Sequence, residues 1–216
     1  VWGLEEKPYI GVRPVNHPGK RISKSMWRGT NAIDSWSWQN CEGNPAEIEV
    51  YADAAEVELL INGKSLGKKK IKEFKAMFKA KYAPGTLKAV AYDQRGKKLS
   101  ENELVSAIGK TKIALTPEDA ELRAGRIAYV HVNLVGENGE IESNADRKLS
   151  VTVQGGRLLG FGSANPCTEE GYVNGSHTTY YGRALAVVKA EKAGIITLQV
   201  AGEGLQTTEL NLKVIN

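Results

Sequence analysis

A period-two alternation of apolar and polar residues recurs along the chain and restricts its fold more than any other feature. Successive side chains of a β-strand point to opposite faces, so the pattern predicts strands with one buried and one solvated face, as in antiparallel sheets. Helical periodicity is nearly absent. The clearest runs are Ile48 and Val50 beside Glu47 and Glu49, Val57, Leu59 and Ile61 beside Glu56 and Glu58, and Leu149, Val151 and Val153 beside Ser150 and Thr152.

One run combines this alternation with a high density of lysine. Phe74, Ala76, Phe78, Ala80 and Tyr82 alternate with Lys75, Met77, Lys79 and Lys81, which predicts aromatic residues on one sheet face and lysines mostly on the other. The net charge is +4. Lysines on strands are typical of a solvated face or a protected sheet edge, so we predict no nucleic-acid partner.

Turn signals stand between the predicted strands. Asn62-Gly63 and Asn138-Gly139 are pairs that tolerate the positive φ angles of a type I′ hairpin turn. Pro84-Gly85 and Arg95-Gly96 mark further turns. Many short strands separated by closely spaced turns indicate β-sandwiches.

The predicted fold is all-β, with two immunoglobulin-like β-sandwich domains in tandem. A chain of 216 residues is long enough for two domains of roughly 100 residues each. We place the boundary near Ile108-Gly109, giving domains 1–108 and 109–216. The first 45 residues carry less strand signal and are predicted to be an approach segment, whose DSWSW stretch joins the first sandwich.

Neither a membrane span nor a disulfide is predicted. No apolar run approaches the roughly 20 residues that cross a bilayer. Cys41 and Cys167 fall in different predicted domains, so both are predicted to be free thiols.

Motifs of catalysis and metal binding are absent from the sequence. It contains no HExxH, no GxSxG and no phosphate-binding loop. The three histidines have no ligand partners at a useful spacing, so neither a metal site nor a cofactor is predicted; they are His17, His131 and His177.

Sugar hydrolysis uses two carboxylates, so pairs of acidic residues are the candidates for this chemistry. Glu169 and Glu170 are adjacent, and adjacent side chains in an extended segment diverge. Glu56 and Glu58 share a face, but it is predicted to be solvated, with nothing to perturb either pKa. No catalytic residue is therefore predicted.

Aromatic residues supply the candidates for carbohydrate or domain contact. Trp36 and Trp38, with Trp27 upstream, either form a platform for sugars or pack in the core or against a neighbouring domain; the second interpretation is favoured. Tyr172, Tyr180 and Tyr181 lie in or beside the polar segment NPCTEEGYVNGSHTTYYG. A loop of this length and polarity is typical of contact surfaces.

Several segments resemble a known family. The runs EIEVYADAAEVELLINGKSLGKKK and YAPGTLKAVAYDQRGKKL resemble the C-terminal region of bacterial glycoside hydrolase family 2 enzymes, the β-galactosidase-like group. The second half is similar to the next domain of the same architecture in Arg123-Ala124-Gly125, RLLGFGSANP and GRALAVVKAEKAGIITLQV. The last of these is also similar to invasin-type immunoglobulin repeats.

The resemblance implies an accessory role. In that family the catalytic glutamates lie on a barrel that precedes this region, so the chain is expected to be non-catalytic. The barrel of the same polypeptide is the expected partner, with carbohydrate and a homo-oligomer of the parent as further candidates. The parent would cleave terminal β-galactosides or related sugars in the periplasm or outside the cell. Two alternatives stay open: a carbohydrate-binding module, and invasin-like adhesion domains.

Overall fold

The computed structural model describes residues 7–17 and 29–216. The chain divides into two compact units, one ending at Ser106 and the next beginning at Ala107. Within the described ranges every regular element is a β-strand, which confirms the all-β prediction. The same residues contain no helix that could cross a membrane.

The first unit is built from two antiparallel sheets. One has the strand order β1-β2-β5 and the other the order β4-β3-β6-β7. The strands are β1 (Tyr9–Val12), β2 (Pro45–Tyr51), β3 (Glu56–Ile61), β4 (Lys64–Lys70), β5 (Lys75–Lys81), β6 (Thr86–Tyr92) and β7 (Lys98–Val105).

The core of the first unit follows the alternation in the sequence. Ile48 and Val50 of one sheet, and Val57 and Leu59 of the other, are fully buried. Burying an aliphatic side chain of this size contributes about 1.5–3 kcal/mol, so matching apolar faces hold the two sheets together. The edge strand β4 is exposed at every residue.

Two local features of this unit test the turn and face predictions. Asn62 and Gly63 both have positive φ angles, of 50° and 78°, so the predicted type I′ turn is confirmed. Phe74 was wrongly assigned to the buried face. It precedes β5 with φ 62°, and half of its surface is exposed, because the chain is still turning there.

The second unit is also built from two sheets. Their strand orders are β12-β14-β10-β8 and β13-β11-β15-β16-β9. The strands are β8 (Lys112–Pro117), β9 (Glu121–Arg123), β10 (Ile127–Val135), β11 (Lys148–Gln154), β12 (Arg157–Gly162), β13 (Ser176–Thr178), β14 (Arg183–Lys189), β15 (Gly194–Gly202) and β16 (Thr208–Ile215).

The core of the second unit is one hydrophobic cluster shared by both sheets. Val130 and Val132 on β10 meet Leu198 and Val200 on β15, and all four are fully buried. The short strand β9 pairs with β16 in parallel, whereas the other pairings of this unit are antiparallel. The two units have the architecture of immunoglobulin-like sandwiches.

The turn after β10 differs from the prediction in its geometry. Gly139 has a positive φ of 83° but Asn138 does not, so the turn is not of type I′. The chain instead closes a wider loop, in which the amide of Gly136 donates to the carbonyl oxygen of Glu140 at 2.9 Å.

Candidate functional site

The structure places Trp36 and Trp38 in the interior of the first unit, with 0% and 1% of their surfaces exposed. The Trp36 indole N–H donates to the carbonyl oxygen of Ala83 at 2.9 Å, and its ring meets the Tyr82 ring edge-on, with centroids 4.8 Å apart. A sugar cannot reach either indole, so the platform interpretation fails for both residues and the packing alternative describes them. Trp27 lies outside the described residues.

The polar segment of the second unit is anchored by a stacked pair of rings. The Tyr172 ring lies on His177, with centroids 5.0 Å apart and planes 24° apart. It also covers Gly162, where an added Cβ would stand 2.1 Å from a Tyr172 ring carbon. About half of the Tyr172 surface is exposed, and Val173 beside it is 84% exposed. The segment therefore presents a fixed apolar tip.

Glu170 ties the same segment to strand β13. Its carboxylate accepts hydrogen bonds from the backbone amide of Thr178 at 2.8 Å and from the Thr178 hydroxyl at 3.1 Å. The amide bond is the main reason why the pKa of Glu170 lies below its ordinary value. These bonds favour the charged carboxylate, so Glu170 serves as an anchor for the segment.

His177 is fully buried beneath this segment. Its Nδ1 lies 2.8 Å from the carbonyl oxygen of Thr178, which can only accept, so Nδ1 carries the proton and donates. Its Nε2 has no hydrogen-bond partner among the residues that the structure describes. The imidazole therefore serves as a stacking surface for Tyr172.

Tyr180 and Tyr181 stand at the turn between β13 and β14. Their ring centroids are 4.4 Å apart, but the planes are tilted by 45°, and both residues are half-buried. The pair is therefore not the flat platform expected of a carbohydrate-binding module. Tyr181 has a positive φ of 51°, an unfavourable conformation for a bulky residue.

Hydrogen bonds to Asp146 hold this turn in place. Its Oδ1 accepts from the amide of Gly182 at 2.8 Å and from the Thr179 hydroxyl at 3.1 Å. A Cβ at Gly182 would stand 2.5 Å from the carbonyl oxygen of Glu142. The turn is thus fixed by its surroundings, which explains how the strain at Tyr181 is tolerated.

A buried carboxylate that sequence reasoning missed lies in the first unit. Glu49 belongs to the face of β2 that was predicted to be solvated, yet none of its surface is exposed. Four side chains donate to its two oxygens: Lys75 at 2.7 Å, Arg13 at 2.9 Å, Thr30 at 2.9 Å and Tyr51 at 2.5 Å. We call these five residues the Glu49 cluster.

The Glu49 cluster strongly favours the charged carboxylate. Burial by itself raises the pKa of Glu49, but the hydrogen bonds, with the bond from Lys75 as the largest, outweigh burial and lower the pKa to about 2. The pKa values of Lys75 and Tyr51 are raised, although burial opposes the shift at Lys75 and adds to it at Tyr51. Glu49 is therefore a permanent anion at neutral pH, with a structural role.

Other carboxyl groups of the described residues also accept hydrogen bonds that lower their pKa values. Glu58 was predicted to be unperturbed, but it accepts hydrogen bonds from Ser65 at 2.6 Å and Tyr92 at 2.8 Å, which lower its pKa. The carboxyl groups with shifted pKa values all shift downward, whereas a general acid for sugar hydrolysis needs a raised pKa. Within the described ranges, no group of three or more metal-binding side chains occurs.

Each of the two units matches a known domain family. Residues 113–211 match the family described as "Glycoside hydrolase family 2 C-terminal domain 5", and residues 43–100 match a domain family of unknown function, DUF4982. A curated relative, the β-galactosidase BoGH2A of Bacteroides ovatus, is 31% identical over 192 residues. That alignment includes 86% of this chain but 21% of the relative, so the chain spans about a fifth of the relative's length.

Solved structures share the fold of nearly the whole chain. A glycosyl hydrolase family 2 member from Bacteroides cellulosilyticus superimposes with a TM-score of 0.84 at 27% identity, covering 97% of this chain and 28% of that protein. A β-glycosidase from Bacteroides vulgatus shares the fold, with a TM-score of 0.75 at 24% identity, and 25% of its chain is covered. Residues 113–211 therefore match a C-terminal domain of glycoside hydrolase family 2, and the chain as a whole is similar to the C-terminal region of larger proteins of that family.

Proposed function

We propose that this chain is a non-catalytic accessory region of a β-galactosidase-like glycosidase and supports the catalytic barrel of the same polypeptide. The observation that carries the proposal is its alignment to a fifth of a β-galactosidase at 31% identity. The chemistry of the described residues agrees, because the carboxylates with shifted pKa values are held in the charged form by hydrogen bonds and ion pairs.

The parent enzyme would hydrolyse terminal β-galactosides or related sugars in the periplasm or outside the cell. The two units would bury surface against the barrel and contribute contacts to an oligomer. β-Sandwiches suit a supporting role because their close-packed cores have a low compressibility. The fixed tip formed by Tyr172 and Val173 is a suitable contact point on the second unit.

The experiment compares point variants in the full-length polypeptide. Trp36→Ala removes a fully buried side chain and should destabilise the first unit, so that it unfolds at a lower temperature. If this unit supports the barrel, the variant should lose β-galactosidase activity at a lower temperature than the parent. Leu99→Ser, a change at a residue of the same unit that is 52% exposed, is the matched control and should behave like the parent.

Two results would contradict the proposal. Hydrolysis of 4-nitrophenyl β-galactoside by the 216-residue chain alone would show that it is catalytic. Equal thermal inactivation of the parent and of Trp36→Ala, with the first unit shown to be unfolded, would show that it does not support the barrel.

A further inference from the structure

A cleft of about 520 Å³ opens on the second unit where the chain passes from β9 to β10. The residue at its base, Leu122, is 3% exposed and belongs to the core. Tyr129 and Ile127 stand at its side, and about 40% of each is exposed, because alternation on β10 turns both outward. A volume of this size accommodates a small ligand.

Three of the charged side chains that line this cleft have no partner among the described residues. Arg123, Arg126 and Asp119 make no side-chain hydrogen bond or ion pair with any residue that the structure describes. Glu121, which also lines the cleft, is paired with Lys213 at 2.9 Å. The formal charges of the lining residues balance, but both guanidinium groups are unpaired, whereas one of the two carboxylates is engaged by Lys213.

The backbone that carries the two arginines is fixed. The amide of Arg126 donates to the carbonyl oxygen of Arg123 at 3.1 Å, across a turn in which Gly125 has a φ of 86°. Two hydrogen bonds join this turn to Ala190, one from the amide of Gly125 at 2.6 Å and one to the carbonyl of Arg126 at 2.9 Å. Binding side chains that rise from fixed backbone lose less entropy when a ligand is bound.

We propose that this cleft binds an acidic oligosaccharide. Guanidinium groups suit carboxylate and sulfate, since their planar donors can bind two oxygens at once. Tyr129 and Ile127 offer an apolar surface to the face of a sugar ring, and Asp119 can accept hydrogen bonds from hydroxyl groups. The choice of a sugar rests on the proposed function, whereas the preference for an anion rests on the cleft itself.

Calorimetric titration of the 216-residue chain tests this inference with three galactose-based probes. Trigalacturonic acid carries carboxylates, a neocarratetraose carries sulfates, and β-1,4-galactotriose is neutral. We expect saturable binding of at least one acidic probe, weakened by added salt, and at least about tenfold weaker binding of galactotriose. The acidic probe that binds more tightly identifies the source of the anion.

Matched variants locate the site. Arg126→Gln should weaken binding of the acidic probe about tenfold or more, because it removes a charged hydrogen bond. Arg157→Gln is the control: Arg157 is an exposed arginine of the same unit, paired with Glu191 at 3.3 Å and outside the cleft lining. It should bind like the parent chain, and circular dichroism should show both variants to be folded.

Three outcomes would overturn the inference: no binding of either acidic probe, equal binding of galactotriose, or equal weakening by Arg126→Gln and Arg157→Gln. These results leave the proposed accessory role untouched, because that role is tested by the heat inactivation of the full-length enzyme. Conversely, binding of an acidic sugar would stand even if the first unit proved not to support a barrel.

Discussion

Replacing Glu49 with glutamine should destabilise the first unit in a way that depends on pH. Glutamine keeps the shape of the side chain but removes its charge. Lys75 and Arg13, which contact the carboxylate at 2.7 and 2.9 Å, would then lose their buried anion. Removing one partner of a buried ion pair is strongly destabilising, because the charge of the other partner stays buried without compensation.

The shift in pKa sets the expected magnitude. The pKa of Glu49 is lowered from 4.5 to about 2, which corresponds to about 3 kcal/mol of stability at neutral pH. Because the folded-state pKa lies below the unfolded value, this contribution is fully present above about pH 4.5. It is lost as the pH falls from there towards 2.

Tryptophan fluorescence during urea unfolding is the assay. The four tryptophans, at positions 2, 27, 36 and 38, all precede Ser106, so their emission reports on the first unit within the intact chain. With a urea dependence of about 2 kcal/mol/M, the midpoint of Glu49→Gln at pH 7 should fall by about 1.5 M. Its stability should also change much less than that of the parent between pH 4.5 and 2.

Glu47→Gln is the matched control. Glu47 lies two residues away on the same strand face and contacts the same arginine, but its side chain is 36% exposed. An ion pair of this exposure contributes about 0–1 kcal/mol, so the midpoint should move little. The reasoning is refuted if Glu49→Gln costs no more than Glu47→Gln and keeps the acid dependence of the parent.

Three further substitutions test the geometry of the two units. Tyr181→Asn should raise the stability of the second unit by about 0.5–1 kcal/mol in calorimetry, since Asn tolerates a positive φ better than Tyr; a lower stability would mean that ring packing outweighs the strain. Gly162→Ala should displace the Tyr172 ring and speed proteolysis of the loop. Gly171→Ala should not, because its Cβ would make only an ordinary contact, with Asn174 at 4.0 Å; equal cleavage of the two variants would contradict the stacking. Trp36→Ala should cost about 3–5 kcal/mol in the tryptophan-detected transition, and a cost below about 1 kcal/mol would contradict its burial.

The sequence predicted the fold well because the fold depends on local signals. Alternation predicted β11 and the buried positions Leu149 and Val151, and the Asn62-Gly63 pair predicted its turn type. Phe74 was assigned wrongly to the buried face. The alternation of apolar and polar residues continues into the turn before β5, and the residue types there do not predict a turn. Tyr181 could not be predicted to adopt a positive φ, since aromatic residues rarely do.

Candidate sites were harder to predict because they depend on long-range packing. Glu49 looked solvated by its alternation, and its burial requires Arg13 and Lys75, residues 36 and 26 positions away in sequence. Arg123 and Arg126 are close in sequence, but their cleft was not predicted, because it forms only where the chain passes from one sheet to the other and brings Tyr129 beside them. Such sites depend on side chains from distant parts of the sequence, which local patterns do not pair with one another.

The parallel pairing of β16 with β9 has a consequence for the order of folding. Lys213 and Glu121, which face each other across this pairing, are 92 residues apart in sequence. At about 5–20 residues per second, the ribosome needs roughly 5–20 seconds to synthesise that interval. Until β16 emerges, both β9 and one edge of β15 lack a partner, so the nascent second unit presents unpaired strand edges to other chains for that time.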